Sequence, residues 1–424
     1  MGKILFVSST KKVADEIAGI VRDHSVPANF SFCDDISYAI EILSYELPEL
    51  LILDFDDASL PLEPLLEKMR EDPWLHYGWI IALRSKGSES EFLSAMRYAN
   101  IIAVLRAKDM QRRLPSIVKI VMDNKHLLFQ RDLQRSIRTT VSGMFIVDND
   151  PYEVNVYASI ISNYLFYSNY VDIEKRDNVK VALVELLLNA VEHGNCEITF
   201  EEKTRFSLEG GSIFDLIDEK LKDRRIAARR VNFSYRIAPE RTHLIVRDEG
   251  KGFNWRMVKK PAEVNREMLD HGRGIAVAES SAGGLKYNEK GNEVSFDVDH
   301  QESRNNLVPI IFDKKDEISF NPGQTVFTMG EESNFLYYIH SGAYGVYGNR
   351  NKLIATLNSS DIFIGEMSFL LNDRRTATVR AHSQGTLIKI SKKEFTDAIK
   401  RYPYYGLILA RLLANRIDRM NKML

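Results

Sequence analysis

From Val181 to Val191 the chain reads VALVELLLNAV, and only Glu185 and Asn189 are polar. No other segment limits the possible folds so tightly. A run this apolar belongs inside a protein, and its spacing predicts a long helix from about Ile173 to His193. Two groups four residues apart lie on one face of such a helix, and His193 continues the stripe. A carboxylate and an amide in these surroundings are costly unless each has a partner. That partner is either another protein group, giving an internal hydrogen-bonded pair, or a ligand.

Two glycine-bearing segments follow. Asp248-Glu-Gly250-Lys-Gly252-Phe253 comes directly after the strand-like HLIVR. An Asp at a strand end accepts from an exocyclic amine, and glycines let a loop pass close to a flat ring. His271-Gly272-Arg273-Gly274 then precedes IAVAES, a predicted helix start whose exposed N–H groups suit phosphate. In this order and spacing the three segments resemble the GHKL ATP-binding domain of histidine kinases, gyrase-type ATPases and anti-sigma serine kinases, over about residues 140–298. The resemblance implies a Bergerat-type α/β sandwich that binds ATP and Mg²⁺. It makes Asn189 the Mg²⁺ ligand, Glu185 the candidate general base and His193 a further residue of the same stripe. Asp248 would read adenine N6. Gly250, Gly252, Gly272, Arg273 and Gly274 would shape the pocket, and residues 254–270 its lid.

The lead-in GMFIVDNDPYEVNVYASIISNYL is similar to that of the anti-sigma serine kinases. That type phosphorylates a Ser of a small protein or sequesters a partner, so a sigma-factor or anti-anti-sigma-like regulator is the implied partner. A histidine kinase needs a helical dimerisation segment bearing a phosphoacceptor His. The preceding helix holds only His126, without an acidic residue directly after it. An atypical histidine kinase and a non-catalytic scaffold remain the alternatives. The polar stretch 197–231, interrupted by Gly210 and Gly211, reads as an insertion.

The segment FIGEMSFLLNDRRTATVRA holds Gly365-Glu366 and then Arg375-Thr376-Ala377. An Arg is a forked donor for phosphate, and a carboxylate accepts from a ribose hydroxyl. The bland alternative is a surface ion pair between Glu366 and Arg375. Around the segment, short strands at close intervals (TVF, FLYYIH, YGVY, LIATL, TATVRA, TLIKI) predict a C-terminal jelly-roll β-barrel, followed by a terminal helix from Lys392. The string resembles the phosphate cassette of cyclic nucleotide-binding domains, over about residues 308–424. The resemblance implies cAMP or cGMP as ligand, with Arg375 on the cyclic phosphate, Glu366 on the ribose 2′-OH, and Gly365 and Thr376 beside them. Two departures stand out. Arg374 replaces a common Pro, and Asp361-Ile-Phe-Ile-Gly365 is one residue longer than usual. Related transcription factors continue into a helix-turn-helix; this chain stops at Leu424, which leaves no DNA contact by that route.

Residues 1–125 alternate apolar runs (KILFV, LLILDF, WIIAL, IIAVL) with amphipathic helical patterns. That alternation predicts a doubly wound parallel sheet. The block resembles a response-regulator receiver, with Asp54 at the phosphoacceptor position. The acidic pair such a domain uses for Mg²⁺ is replaced by Val7-Ser8-Ser9-Thr10, and Arg84-Ser85 stands where the switch hydroxyl is expected. Without two further carboxylates a Mg²⁺ pocket is hard to build. The block therefore reads as a degenerate receiver, a docking or dimerising module in which Asp54 is a vestigial phosphoacceptor.

The reading for the whole is a multidomain α/β and β protein: a receiver-like domain (1–125), a helical linker (126–140), an ATP-binding domain (141–300) and a cyclic nucleotide-binding domain (301–424). Charge supports this. With 57 basic and 59 acidic residues and no basic run, the chain lacks the phosphate-neutralising excess of a nucleic-acid binder. Only two cysteines, Cys33 and Cys196, occur, as in reducing compartments, and no segment has the apolar length of a membrane span. The expectation is a cytoplasmic, homodimeric signalling protein in which cyclic nucleotide controls a serine kinase-type ATP domain.

Overall fold

The computed structural model describes residues 2–23, 28–72, 78–87, 92–93, 95–96, 99–124, 140–168, 170–238, 240–257, 273–282, 284–300, 310–312, 315–358, 361–410 and 413–414. They fall into two compact units. One combines residues 1–107 with 304–424; the other combines 108–128 with 139–303.

The first unit opens with β1 (Gly2–Val7), α1 (Lys11–Asp23), β2 (Ala28–Cys33), α2 (Ile36–Glu46), β3 (Leu50–Asp54), α3 (Glu63–Glu71), β4 (Trp79–Leu83) and β5 (Ile101–Leu105). All strand pairs are parallel, in the order β2-β1-β3-β4-β5. This is a doubly wound arrangement with its crevice between β1 and β3. Leu5, Val7, Leu51, Leu53, Ile80 and Ala82 share one core with α2 and α3. The alternate residues Ile4, Phe6, Ile52 and Ile81 are buried too, so both faces are covered and the strands read as unbroken apolar runs.

The second unit begins with α4 (Ala107–Asp123). This helix lies before the expected helical linker 126–140, of which residues 126–139 lie outside the described residues. It is followed by β6 (Val141–Val147), α5 (Pro151–Tyr167) and α6 (Ile173–Asn189). The predicted insertion folds into three short helices: α7 (Phe200–Leu208), α8 (Ile213–Lys220) and α9 (Arg224–Ala227). Ser212 caps α8 with a full capping box, which stabilises a helix that would be marginal alone. Strands β7 (Val231–Ile237) and β8 (Arg241–Arg247), helix α10 (Arg273–Ala282) and strands β9 (Lys286–Tyr287) and β10 (Glu293–Asp299) complete the unit. The sheet is antiparallel, in the order β6-β7-β8-β10-β9. Val231, Phe233, Tyr235 and Ile237 are buried and alternate with polar Asn232, Ser234 and Arg236, the pattern of a sheet with one covered face. The apolar helix predicted up to His193 ends as α-helix at Asn189 and widens into a π turn over Ala190–Asn195.

The rest of the first unit is β11 (Glu317–Phe320), β12 (Thr325–Phe327), β13 (Phe335–Ile339), β14 (Tyr344–Tyr347), β15 (Leu353–Leu357), β16 (Phe363–Ile364), α11 (Glu366–Leu371), β17 (Thr378–Ala381), β18 (Gly385–Ser391) and α12 (Lys392–Arg401). Two antiparallel sheets, β11-β18-β13-β16 and β12-β17-β14-β15, form the jelly roll. A core of Phe327, Ile339, Tyr344, Ile364, Val379 and Leu387 fills it. A second cluster joins Phe312, Phe363 and Phe369 to Tyr404, Tyr405, Ile408 and Leu409, and Leu47 packs against it. Leu47 ends α2 in the left-handed region (φ 53°). Beside it, Tyr45 meets Tyr404 edge-on at 6.3 Å, and the buried Tyr405 hydroxyl donates to Asp72 Oδ2 at 2.6 Å. The doubly wound sheet and the jelly roll thus share one seam.

No described helix is long and apolar enough to cross a membrane. The seam yields a prediction. Tyr405→Phe removes one bond to a buried carboxyl, and urea unfolding should show a loss of about 1–3 kcal/mol; an unchanged midpoint would mean the contact contributes nothing.

Candidate functional site

Asn189 is the last residue of α6, one turn after Glu185. Its Nδ2 is buried and has no hydrogen-bond partner among the described residues. An amide left so costs about 1–3 kcal/mol, which points to a group that arrives from outside. A half-turn of the amide decides which of its two atoms faces that group. Glu185 is half-buried and already has a partner of its own. His193 departs from the expected stripe: the π turn leaves it exposed, with Nδ1 2.7 Å from the Ile198 carbonyl.

Asp248 sits directly after β8. Its Oδ1 accepts from Gly250 N at 2.8 Å, and its backbone is pinned both ways by Asn292: Asp248 N donates to the Asn292 carbonyl at 3.0 Å, and Asn292 Nδ2 donates to the Asp248 carbonyl at 2.9 Å. Burial raises its pKa, against the bond from Gly250. Two glycines are needed because backbone and carboxyl approach so closely. A Cβ on Gly194 would lie 2.4 Å from Asp248 Cγ, and one on Gly250 would lie 2.3 Å from the Gly194 carbonyl oxygen. Gly252 adopts φ +77°, where a Cβ would strike the Lys290 carbonyl at 2.0 Å. Gly274 and Arg273 begin α10; Gly272 and lid residues 258–270 lie outside the described residues.

Sequence reading missed the residues that hold this loop. Asn195, fully buried, donates from Nδ2 to Asn149 Oδ1 at 2.8 Å and accepts from Glu249 N at 2.9 Å. The only local signal was the Gly-Asn pair directly after His193.

In the jelly roll, Arg375 is 3% exposed. Its Nη1 donates to the Gly365 carbonyl at 2.9 Å and to Ser368 Oγ at 3.2 Å, and its Nη2 donates to the Phe335 carbonyl. The guanidinium lies 4.1 Å from the Phe327 ring centre. Its Nε has no partner, and no described carboxylate pairs with it. Burial lowers its pKa, against weaker pulls from the Tyr337 hydroxyl and the Glu331 carboxylate. Both Arg375 and Glu366 are buried, so they do not form the surface ion pair of the bland alternative, and Glu366 has a partner of its own. Gly365 is required here: at φ +79° its Cβ would lie 2.3 Å from Arg375 Nη1. Thr376 is exposed. The extra residue in 361–365 leaves Ile362 at φ +67°, an unusual conformation for a β-branched side chain. Arg374, in place of a Pro, donates to the Gly330 carbonyl at 2.9 Å.

At the end of β3, Asp54 accepts from Ser8 Oγ at 3.0 Å, and burial raises its pKa against that bond. Asp57 accepts from Ser9 N at 2.6 Å and from Ser59 N and Oγ at 3.0 and 2.5 Å. Burial works against ionisation of Asp57, but the Ser59 and Ser9 bonds together hold its pKa well below the usual carboxylate range. Asp56 accepts from Ser85 N at 2.6 Å. Serine hydroxyls and amides thus serve these acids, and among the described residues no cluster of three His, Cys, Asp or Glu side chains could hold a metal.

Residues 148–298 match the histidine kinase-like ATPase domain, and residues 317–402 match the cyclic nucleotide-binding domain. The chain carries both. Among curated proteins it is similar to the potassium/sodium hyperpolarization-activated cyclic nucleotide-gated channel 1 of Oryctolagus cuniculus, 29% identical over 103 residues, which is 24% of this chain and 12% of the channel. Channel 2 of Mus musculus gives the same identity over 103 residues, again 24% of this chain and 12% of the channel. The chain thus spans only a small part of these relatives. Among solved structures, the Thermus thermophilus catabolite activator protein is 23% identical with a TM-score of 0.25, covering 27% of this chain and 55% of that one. A cyclic nucleotide-binding domain from Methylobacillus flagellatus is 19% identical with a TM-score of 0.24, covering 26% and 65%.

Arg375 makes a sharp test. Arg375→Met removes a buried cation together with its three hydrogen bonds; the two effects oppose each other, so the ligand-free melting temperature should shift by no more than a few degrees. The rise in melting temperature on adding cAMP or cGMP should vanish. A large loss of ligand-free stability would show that Arg375 is there for structure.

Proposed function

We propose that this protein is a cyclic-nucleotide-regulated signalling protein whose ATP-binding domain, of the anti-sigma serine kinase type, phosphorylates or captures a protein partner. The observation that supports it is shared by two domains. Among the described residues, Asn189 Nδ2 and Arg375 Nε are both buried donors without partners, and each stands where the corresponding nucleotide phosphate is expected. In this reading residues 141–300 bind ATP and residues 301–424 bind cAMP or cGMP.

In the ATP domain Asp248 accepts from the adenine amine, while Gly194 and Gly250 keep side chains out of its way. The residues fit Mg²⁺ as a cation shared with the phosphates: Asn189 offers one oxygen, and Mg²⁺ commonly takes few protein ligands and keeps phosphate and water for the rest. When bound it neutralises charge on the transferred phosphoryl group. Glu185 orients or deprotonates the accepting hydroxyl. In the jelly roll the cyclic phosphate becomes the counter-ion that Arg375 lacks, and Glu366 accepts from the ribose 2′-OH.

One observation favours a second reading, the non-catalytic scaffold: Glu185 is already partnered, and a binding-only domain needs no base. Steady ADP release, or phosphate transfer to a Ser-bearing protein, favours the kinase; tight ATP binding without turnover favours the scaffold.

The first domain fits a degenerate receiver that works by docking. Ser8 and Ser9 occupy the place of the metal-binding acids and donate to Asp54 and Asp57.

Two outcomes are expected. Asn189→Ala should abolish Mg-ATP binding in calorimetry while the circular dichroism spectrum is kept; unchanged affinity would count against the assignment. Acetyl phosphate with Mg²⁺ should leave the chain unlabelled at Asp54; stoichiometric labelling that disappears in Asp54→Asn would overturn the degenerate reading.

A further inference from the structure

Helix α4 is bound to the ATP domain by charge. Arg113 Nη1 pairs with Asp150 Oδ2, and the two side chains are only 11% and 14% exposed. Arg112 forks onto both oxygens of Asp218 in α8, and Ser116 Oγ bonds Glu153 Oε1. The insertion thus supplies part of the clamp on α4.

From this clamp a continuous chain of bonds leads to the base-reading loop. Asp150 caps α5, its Oδ1 accepting from Tyr152 N at 3.0 Å. Its neighbour Asn149 is 4% exposed. Asn149 Nδ2 donates to the Arg229 carbonyl at 3.0 Å, and its Oδ1 accepts from Asn195. Asn195 in turn holds Glu249 N, one residue from Asp248. Both Asn side chains are buried and bonded at each end, so neither can shift without breaking a bond that water cannot replace. Reading an exocyclic amine requires the acceptor to be placed within a fraction of an ångström.

We propose that Arg113 is a positioning residue for nucleotide recognition: by fixing Asp150 it sets, through Asn149 and Asn195, where Asp248 stands, so the docking of α4 tunes base selectivity. This rests on the reading that Asp248 accepts from adenine.

The test uses the full chain and two probes, ATP and inosine triphosphate, which has an oxo group in place of the amine. Calorimetry gives the ratio of their affinities. The wild type should prefer ATP, and Arg113→Gln should cut that preference by about threefold or more while cyclic nucleotide affinity at the jelly roll stays unchanged. Arg113→Lys, which keeps the cation, should restore most of it. Asn149→Ser cuts the next link, so it should lower the preference on its own and add little to Arg113→Gln. A general loss of structure would weaken both triphosphates alike and leave the ratio intact. An unchanged ratio in Arg113→Gln and in Asn149→Ser overturns the positioning role alone. A wild type without preference overturns it together with the role given to Asp248.

Discussion

A buried polar group without a partner is among the most expensive things a fold can contain. Among the described residues this chain keeps one in each of two domains: the Asn189 amide at the end of α6 and the Arg375 guanidinium beside α11. For the guanidinium the cost is electrostatic as well: among the described residues Arg375 has hydrogen bonds and an aromatic neighbour but no ion pair, and only weaker pulls from Tyr337 and Glu331 oppose its desolvation. Such sites persist when a ligand repays the cost on binding. Both point to phosphate chemistry, and they lie in domains whose sequences match ATP-binding and cyclic nucleotide-binding models.

The two sites are built differently. The jelly-roll site depends on a single side chain held in place by backbone carbonyls, with Gly365 in the left-handed region to leave it room. The loop after β8 depends on close backbone approach. Gly194 and Gly250 press against Asp248, and the loop is fixed from behind by Asn195 and Asn292. The π turn matters here because it carries the chain from Asn189, the last residue of α6, to Gly194 and Asn195, which hold the loop bearing Asp248. Wide turns of this kind recur at functional sites.

Much of this was legible in the sequence, for reasons that differ by element. The parallel and jelly-roll layers follow from local periodicity, and Gly252, Gly365 and Arg375 were visible because close approach and charge each demand a particular residue type. The polar pair on α6 stood out against apolar surroundings. What the sequence hid is long-range. Asn195 bonds Asn149 and Glu249 across 46 and 54 residues, and Tyr405 meets Asp72 across 333; no local pattern encodes such pairings. His193 was read as part of a regular helical stripe, and the π turn moved it off. The helices of the insertion were not legible because they are short and polar, and they hold through caps and ion pairs rather than an apolar stripe. At 361–365 the extra residue was visible, but not that Ile362 would absorb it at positive φ.

The most direct measurement is a crystal structure of the full chain grown with ATP, Mg²⁺ and cAMP. The account predicts density for a triphosphate between Asn189 and Asp248 and for a cyclic phosphate on Arg375, so that both buried donors gain partners. Empty pockets at saturating nucleotide, with Asn189 and Arg375 bonded instead to protein groups, would contradict it.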